Sequence, residues 1–463
     1  MTDKTHKFTP SILKMYDIRG VYQKDFYDID AYFIGKSYGT LLREKGLKTC
    51  VVGMDGRVSS PLLKDKFIEG LLTTGIDAVD IGLAMSPCVY WAVWQLNVDA
   101  GMVITASHNP GEYNGFKMLT KELPVWGDEI QKMGKIAESG IYAEGDGHLS
   151  NENVKDEYVK FILSQLKTGK KKLKVAFDTG NGVVSDVIRD VMQNIPNIEP
   201  IYLYDEIVGG FPNHLADPSL PDEYKVLKDT ILKEKCDLGV AYDGDGDRVG
   251  IMDSEGVMFF GDETLDVLIR PFLKEHKGAK VIFELTSSQR LIESIKVNGG
   301  VPVMWKPGHS SIKTKMKEDN IAIGGETSGH MYYGENHNFD DSLYATMKIL
   351  NYFSSADETL ADIRKSFAET YLTKKYKIKT LDDIIKFETP KHIAERMVKM
   401  GREVIQLDGA RVYVNEFDWW LIRSSNTEPA MTARCEAKTP ERLEICKNEL
   451  AEQLKIEGFE VKF

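Results

Sequence analysis

Cysteine is scarce in this chain. Cys50, Cys88, Cys236, Cys435 and Cys446 are odd in number, widely spaced and without a CxxC pair, which excludes a disulfide framework and a zinc site. Long apolar runs are missing too. None approaches the roughly 18 residues of a membrane span, and Met1 to Lys14 is polar, without the apolar core of a signal peptide. Basic charge is in deficit: 59 Lys plus Arg stand against 71 Asp plus Glu, a net charge of −12, so neither nucleic acid nor an anionic membrane is expected as the main partner. A small anionic ligand stays open, because local clusters decide that. With 42% apolar and 28% charged residues the chain is expected to be globular and cytoplasmic, and 463 residues exceed one hydrophobic core, which predicts two to four domains.

What is present is a repeated unit. The apolar run Cys50 to Asp55 reads as a buried strand, followed by a helix with Pro61 near its start, a second run Ile76–Leu83 and a third, Ala100–Ile104. Leu173–Asp178, a helix over Val183–Met192, Ile201–Leu203 and Asp237–Tyr242 repeat that order. Lys280–Phe283, a helix over Gln289–Val297, Val301–Trp305 and a strand over Asn320–Ile323 repeat it again. Strands alternating with helices predict mostly parallel α/β sheets, in which ligands bind beyond the carboxyl ends of the strands. From about Tyr371 the pattern changes: an Asp408-Gly409 hairpin signal, a strand around Trp419-Trp420, read as core of that region, and a helix opened by Thr439-Pro440 predict a smaller α+β domain.

Each third strand of the repeat runs into a chemically loaded loop. The first is Thr105-Ala106-Ser107-His108-Asn109-Pro110, where the Ser107 hydroxyl sits on a turn that a ligand can reach. The second is Asp243-Gly244-Asp245-Gly246-Asp247-Arg248, whose glycines let three carboxylates converge on a hard cation such as Mg²⁺. An EF-hand is excluded, since its sixth and twelfth positions would be Arg248 and Ser254. The third is Gly325-Glu326-Thr327-Ser328-Gly329-His330, a set able to hydrogen-bond sugar hydroxyls, though equally an ordinary polar turn. A fourth segment, Arg423-Ser424-Ser425-Asn426-Thr427, is a dense donor set suited to phosphate. Arg19, Lys117 and His309 gain weight only from these neighbours.

These segments together resemble the α-D-phosphohexomutase superfamily, and within it the bacterial phosphomannomutase/phosphoglucomutase group. The resemblance runs from Tyr16-Asp17-Ile18-Arg19-Gly20 to the last domain, with four motifs in the family's order. It implies three tandem mixed-sheet α/β domains of similar topology (1–150, 151–254, 255–370) plus a smaller C-terminal α+β domain (371–463), arranged around a central cleft. It implies that Ser107 is the phosphoserine and that Ser107, Asp243, Asp245 and Asp247 hold Mg²⁺. Glu326 and Ser328 would contact sugar hydroxyls, and Arg423, Ser425, Asn426 and Thr427 the phosphate that is not reacting. Tyr16, Arg19, Lys117, Arg248, His309 and His330 match positions lining the cleft. Thr327 stands where this group usually has methionine, and the segment Glu284–Ser287 lacks a lysine that some members use on the ligand.

The implied activity is that of an isomerase: interconversion of hexose 1- and 6-phosphates, mannose or glucose, through phosphoserine and a hexose 1,6-bisphosphate that turns over within the cleft. Lys117, His330 and Arg19 are the catalytic candidates beside Ser107, with His330 and Lys117 both open as the base. A hinge near residue 370 would let the last domain open and close. The expected partners are small sugar phosphates, the expected state a monomer or weak homo-oligomer. A phosphoglucosamine mutase, a metal-dependent phosphatase and a non-catalytic sugar-phosphate-binding relative are the competing readings.

Overall fold

The computed structural model describes residues 5–167, 169–380, 383–425 and 430–463. Its strands form four sheets. In the first, Thr49–Met54 lies between Asp77–Leu83 and Ala100–Ile104, parallel to both, and Tyr113–Thr120 pairs antiparallel with Ala100–Ile104. The second repeats this plan: Leu173–Asp178 lies between Ile198–Leu203 and Leu238–Tyr242, and Val249–Asp253 returns antiparallel. The third repeats it with Lys280–Glu284 between Val301–Trp305 and Ile323–Gly325, and Met331–Tyr333 returning. The sheets are therefore mixed, and the repeat read in the sequence is a repeat of topology.

The plan positions the functional loops. The third strand of each unit is buried along its whole length. Its antiparallel partner begins where it ends, so the connecting hairpin lies at the carboxyl edge of the parallel strands, where ligands bind in such sheets. The Ser107, Asp243–Arg248 and Glu326–His330 segments are those three hairpins.

Two expected elements shift. Val183–Asp186 is a 3₁₀ turn followed by a short helix, Ile188–Met192. The strand expected over Asn320–Ile323 starts at Ile323, because Asn320 closes the preceding helix in a left-handed conformation (φ 52°).

The fourth sheet has six strands and is antiparallel throughout. Its helix Pro440–Ile456 is capped by Thr439, whose side chain accepts from Arg442 N, as the Thr-Pro pair predicts. The two adjacent tryptophans separate, because successive side chains in a strand face opposite sides. Trp420 joins the core of the last domain, whereas Trp419 turns to the other face and packs with Tyr413 and Leu421 against Leu285 of the third. One apolar cluster runs through the first three sheets, from Val51 through Val175 and Val240 to Phe283, while the last domain has its own. Hydrogen bonds also join the third and fourth domains: Arg411 donates to Leu285 O and Ser287 O at 2.8 Å, and Gln289 N to Glu436 at 2.8 Å. No described helix is long and apolar enough to cross a membrane.

Candidate active site

The Ser107 turn is held from below by a residue that sequence reading passed over. Arg57 is fully buried: its Nε donates to Asp55 at 2.9 Å, and its terminal nitrogens donate to the carbonyls of Ser107 (2.8 Å), Asn109 (2.6 Å) and Pro110 (2.6 Å). Asp55 is satisfied in turn by Ser60 and Thr105 hydroxyls at 2.7 and 2.8 Å. The only available signal was Asp55-Gly56-Arg57 at the end of the first strand of the unit. This clamp keeps Ser107 in a left-handed conformation (φ 51°), uncommon for a residue with a side chain and costing about 1–3 kcal/mol. A second close approach fixes the neighbouring loop: a Cβ on Gly244 would lie 2.5 Å from Ser107 O.

So held, Ser107 Oγ donates to Asp243 Oδ2 at 2.8 Å and stands 3.1 Å from His108 Nδ1. Oxygens of Asp243, Asp245 and Asp247 lie within 4.8 Å of one another, and all three residues are buried. Lys117 Nζ donates to Asp245 and Asp247 at 2.6 Å each, and the Ser86 hydroxyl to Asp245 at 2.6 Å. Burial, together with Asp245 and Asp247, pushes Asp243 well above the ordinary carboxylate range. Burial also disfavours the Lys117 ammonium, but the two aspartates outweigh it and hold the lysine firmly charged. Asp245 Oδ1 and Asp247 Oδ1 are buried and lack a hydrogen-bond partner. Converging carboxylates with unsatisfied oxygens fit a hard divalent cation, and this acidic cluster can hold one.

Adjoining this cluster lies a cleft of about 680 Å³ whose walls come from three domains. It is lined by Tyr16, Arg19 and His108 of the first, Arg248 of the second, and His309, Glu326, Ser328 and His330 of the third. Arg19 donates to Asn109 at 2.6 Å and pairs with Asp17. Tyr16 OH donates to Pro307 O at 2.8 Å, tying the first domain to the loop before His309. Arg248 Nε donates to His330 Nε2 at 3.1 Å, which leaves the proton of a neutral His330 ring on Nδ1, facing Asp340 at 2.9 Å. Asp340 is paired with Lys313 on its other oxygen. Burial, with Lys313 close by, holds His309 well below the usual histidine range. Glu326 accepts from Gly308 N at 2.7 Å and from Tyr332 OH, and burial pushes its carboxyl upward.

Seven of the expected cleft residues thus meet around one cavity, and Ser107, Lys117 and the three aspartates form a buried cluster joined to it through His108 and Arg248. Arg423 and Ser425 do not line this cavity. Arg423 is at the end of the strand Trp419–Ser424, where its guanidinium pairs with Asp408 (Nε 2.7 Å, terminal nitrogen 2.6 Å), and Ser425 N donates to Ala430 O at 2.8 Å. Asn426 and Thr427 lie outside the described residues. Thr327 turns away from the cleft: its backbone N donates to Glu284 at 2.8 Å and its hydroxyl to the same carboxylate.

The chain matches all four models of the phosphoglucomutase/phosphomannomutase family in succession: alpha/beta/alpha domain I over residues 10–143, domain II over 156–256, domain III over 260–371 and the C-terminal domain over 371–453. It belongs to that family. It is 35% identical over 456 residues to a phosphomannomutase/phosphoglucomutase of Pseudomonas aeruginosa, covering 98% of this chain and 97% of that protein. A phosphoglucomutase of Neisseria gonorrhoeae is 33% identical, with 95% and 96% covered. Among solved structures, a phosphoglucomutase/phosphomannomutase family protein of Burkholderia thailandensis superposes with a TM-score of 0.90 at 30% identity, covering 97% of this chain and 98% of that one.

Proposed function

We propose that the chain is an isomerase that reversibly interconverts hexose 1-phosphates and hexose 6-phosphates of mannose or glucose, carrying a phosphoryl group on Ser107 Oγ and passing through a hexose 1,6-bisphosphate. The observation that carries this reading is the Ser107 hydroxyl, 2.8 Å from Asp243, on the turn whose next residues, His108 and Asn109, wall a cleft together with Arg19, Arg248, His309 and His330. The residues proposed as cation ligands are Asp243, Asp245 and Asp247, together with an oxygen on Ser107. Mg²⁺ bound there would neutralise negative charge on the transferring group.

In the forward step the sugar 1-phosphate is held by its phosphate at Arg423, Ser425, Asn426 and Thr427. Glu326 and Ser328 hold the ring hydroxyls, so the 6-hydroxyl points at the phosphoryl group on Ser107. A bond forms from that hydroxyl oxygen to phosphorus as the Ser107 Oγ–P bond breaks, and the hydroxyl proton passes to a side chain of the site. His330 and Lys117 are the two candidates for that acceptor: His330 through Nε2, once Arg248 no longer donates to it, and Lys117 only after it has given up the proton that Asp245 and Asp247 hold on it. Arg19, Lys117 and Arg248 supply positive charge around the transfer, while Tyr16 and His309 complete the wall. Phosphoryl transfer asks mostly for this positioning and charge. The bisphosphate then turns over, and its other phosphate returns to Ser107 by the reverse step. Closure of the last domain about residue 370 would keep water out meanwhile.

The test is an assay of mannose 1-phosphate and glucose 1-phosphate with Mg²⁺ and trace bisphosphate. Isomerisation without net release of phosphate is expected. Free phosphate as the product would convert the reading to a phosphatase, and binding without turnover would convert it to a non-catalytic relative. Including glucosamine 1-phosphate decides the remaining mutase alternative by comparison of kcat/KM.

A further inference from the structure

Lys375 lies between the strands Tyr371–Leu372 and Tyr376–Lys379, both of which pair with Ala430–Ala437, and so belongs to the last domain. Its ammonium crosses to the third domain and donates to Thr327 Oγ1 at 3.1 Å. Thr327 is the middle residue of the sugar loop, and its backbone N and hydroxyl also donate to Glu284. A cation of one domain therefore holds the loop of another by its centre.

Over its whole length the side chain is exposed, but its ammonium end reaches into the crease between two domains, where it meets Thr327. The sheet register brings Arg423 and Lys377 opposite Thr432, one on each side, and sets Arg434 two residues further along the same strand, so Lys375 follows on beside both arginines; their charges, with those of Glu284 and Asp262 from the third domain, act on its ammonium. Withdrawal from water, with both arginines, lowers its pKa below that of a free lysine, and Glu284 offsets only part of this. Among the described residues its one hydrogen-bond partner is Thr327, whereas an ammonium has three donors. Arg423, by contrast, is already matched by Asp408. Arg423 and Asp408 together bring no net charge to a phosphate, and Arg434 is engaged with the carbonyls of Thr286 and Thr373, so a dianionic ligand beside them calls for a further cation with free donors.

We propose that Lys375 is a substrate-binding residue: its ammonium joins Arg423 on the non-transferring phosphate of the sugar phosphate, and its bond to Thr327 sets the Glu326–Ser328 loop as that phosphate arrives. This rests on the mutase reading above. It makes Lys375 a link between the phosphate end and the hydroxyl-reading end of one ligand.

The test compares wild type with Lys375→Met, Lys375→Arg and Thr327→Val by steady-state kinetics on mannose and glucose 1-phosphates and by calorimetric binding of inorganic phosphate. Losing a charge-assisted hydrogen bond is expected to raise KM and the phosphate Kd about tenfold or more in Lys375→Met, with kcat within about threefold. Lys375→Arg should recover most of both, and Thr327→Val, which keeps the cation, should raise KM less than Lys375→Met. Unchanged KM and phosphate Kd in Lys375→Met would overturn the proposal, and so would a fall in melting temperature alone, which is what a purely structural contact gives. If wild type does not isomerise, the mutase reading fails, and the calorimetric comparison still decides the role of Lys375.

Discussion

The hydroxyl of Ser107, in the first domain, donates to the carboxylate of Asp243, in the second, at 2.8 Å. Neither residue has this partner unless two separately folded hairpins meet. Gly244 lets them meet, since its missing Cβ is what allows Ser107 O so near.

Ser107→Ala should remove interconversion of hexose 1- and 6-phosphates, with a loss of about 10³-fold or more, as for deletion of a covalent carrier. The mass of the intact protein before and after incubation with hexose 1,6-bisphosphate supplies the second readout. Wild type should retain one phosphoryl group and the variant none. Full activity in the variant would rule out Ser107 as the carrier.

Asp245→Asn should lose the response to Mg²⁺. Asp245 Oδ1 is one of the buried oxygens without a partner, so a cation has most to offer there. In a thermal melt, wild type should gain stability as Mg²⁺ is raised, because a ligand that binds only the folded state adds stability by mass action. The same titration on Asp245→Asn should be flat, and a shift equal to wild type would reject this ligand.

Arg57→Met should unfold the first domain more easily, by about 3–5 kcal/mol, because Asp55 is left as a buried charge without its partner. Denaturant unfolding measures this. The Ser107 carbonyl also loses its clamp, so phosphorylation of Ser107 should fall even at temperatures where the variant is folded. An unaffected phosphoserine level would limit Arg57 to stability.

Gly244→Ala should lower both kcat and stability. The added methyl meets a backbone oxygen, which cannot swing aside as a flexible side chain would. The Ser107 and Asp243 loops must then separate. Wild-type kcat in this variant would show that the close approach is dispensable.

Arg423→Ala should raise KM much more than it lowers kcat, because the guanidinium is in the last domain and lines none of the cavity beside the Ser107 turn. A large fall in kcat with intact KM would place it in the transfer step instead.

Much of this site was legible in the chain. Continuous apolar strands ending in Ser107, in the three aspartates and in Glu326 give a local signal, because strand burial and glycine-rich turns leave their pattern in adjacent residues. The paired tryptophans misled in part, since alternation along a strand sends Trp419 and Trp420 to different sides. The start of the last strand of the third unit was obscured because Asn320 completes a helix before that strand begins. Arg57 offered only its place in Asp55-Gly56-Arg57: a single arginine near a turn looks the same whether it is solvated or buried against Asp55 and the carbonyls of Ser107, Asn109, Pro110 and Tyr113.

The sequence by itself determined the strand-and-loop unit, its three occurrences, and which side chains each loop presents. The tertiary structure alone decided which side chains share one charge balance: Lys117 with Asp245 and Asp247, Arg57 with the Ser107 turn, His330 with Arg248 and Asp340, Lys375 with Thr327. The physical reason is separation along the chain. Periodicity and turn chemistry act over a few residues, whereas these partners come from separate loops of one domain or from different domains and meet only when those pack together. There the burial of each charge depends on a neighbour that local sequence does not name.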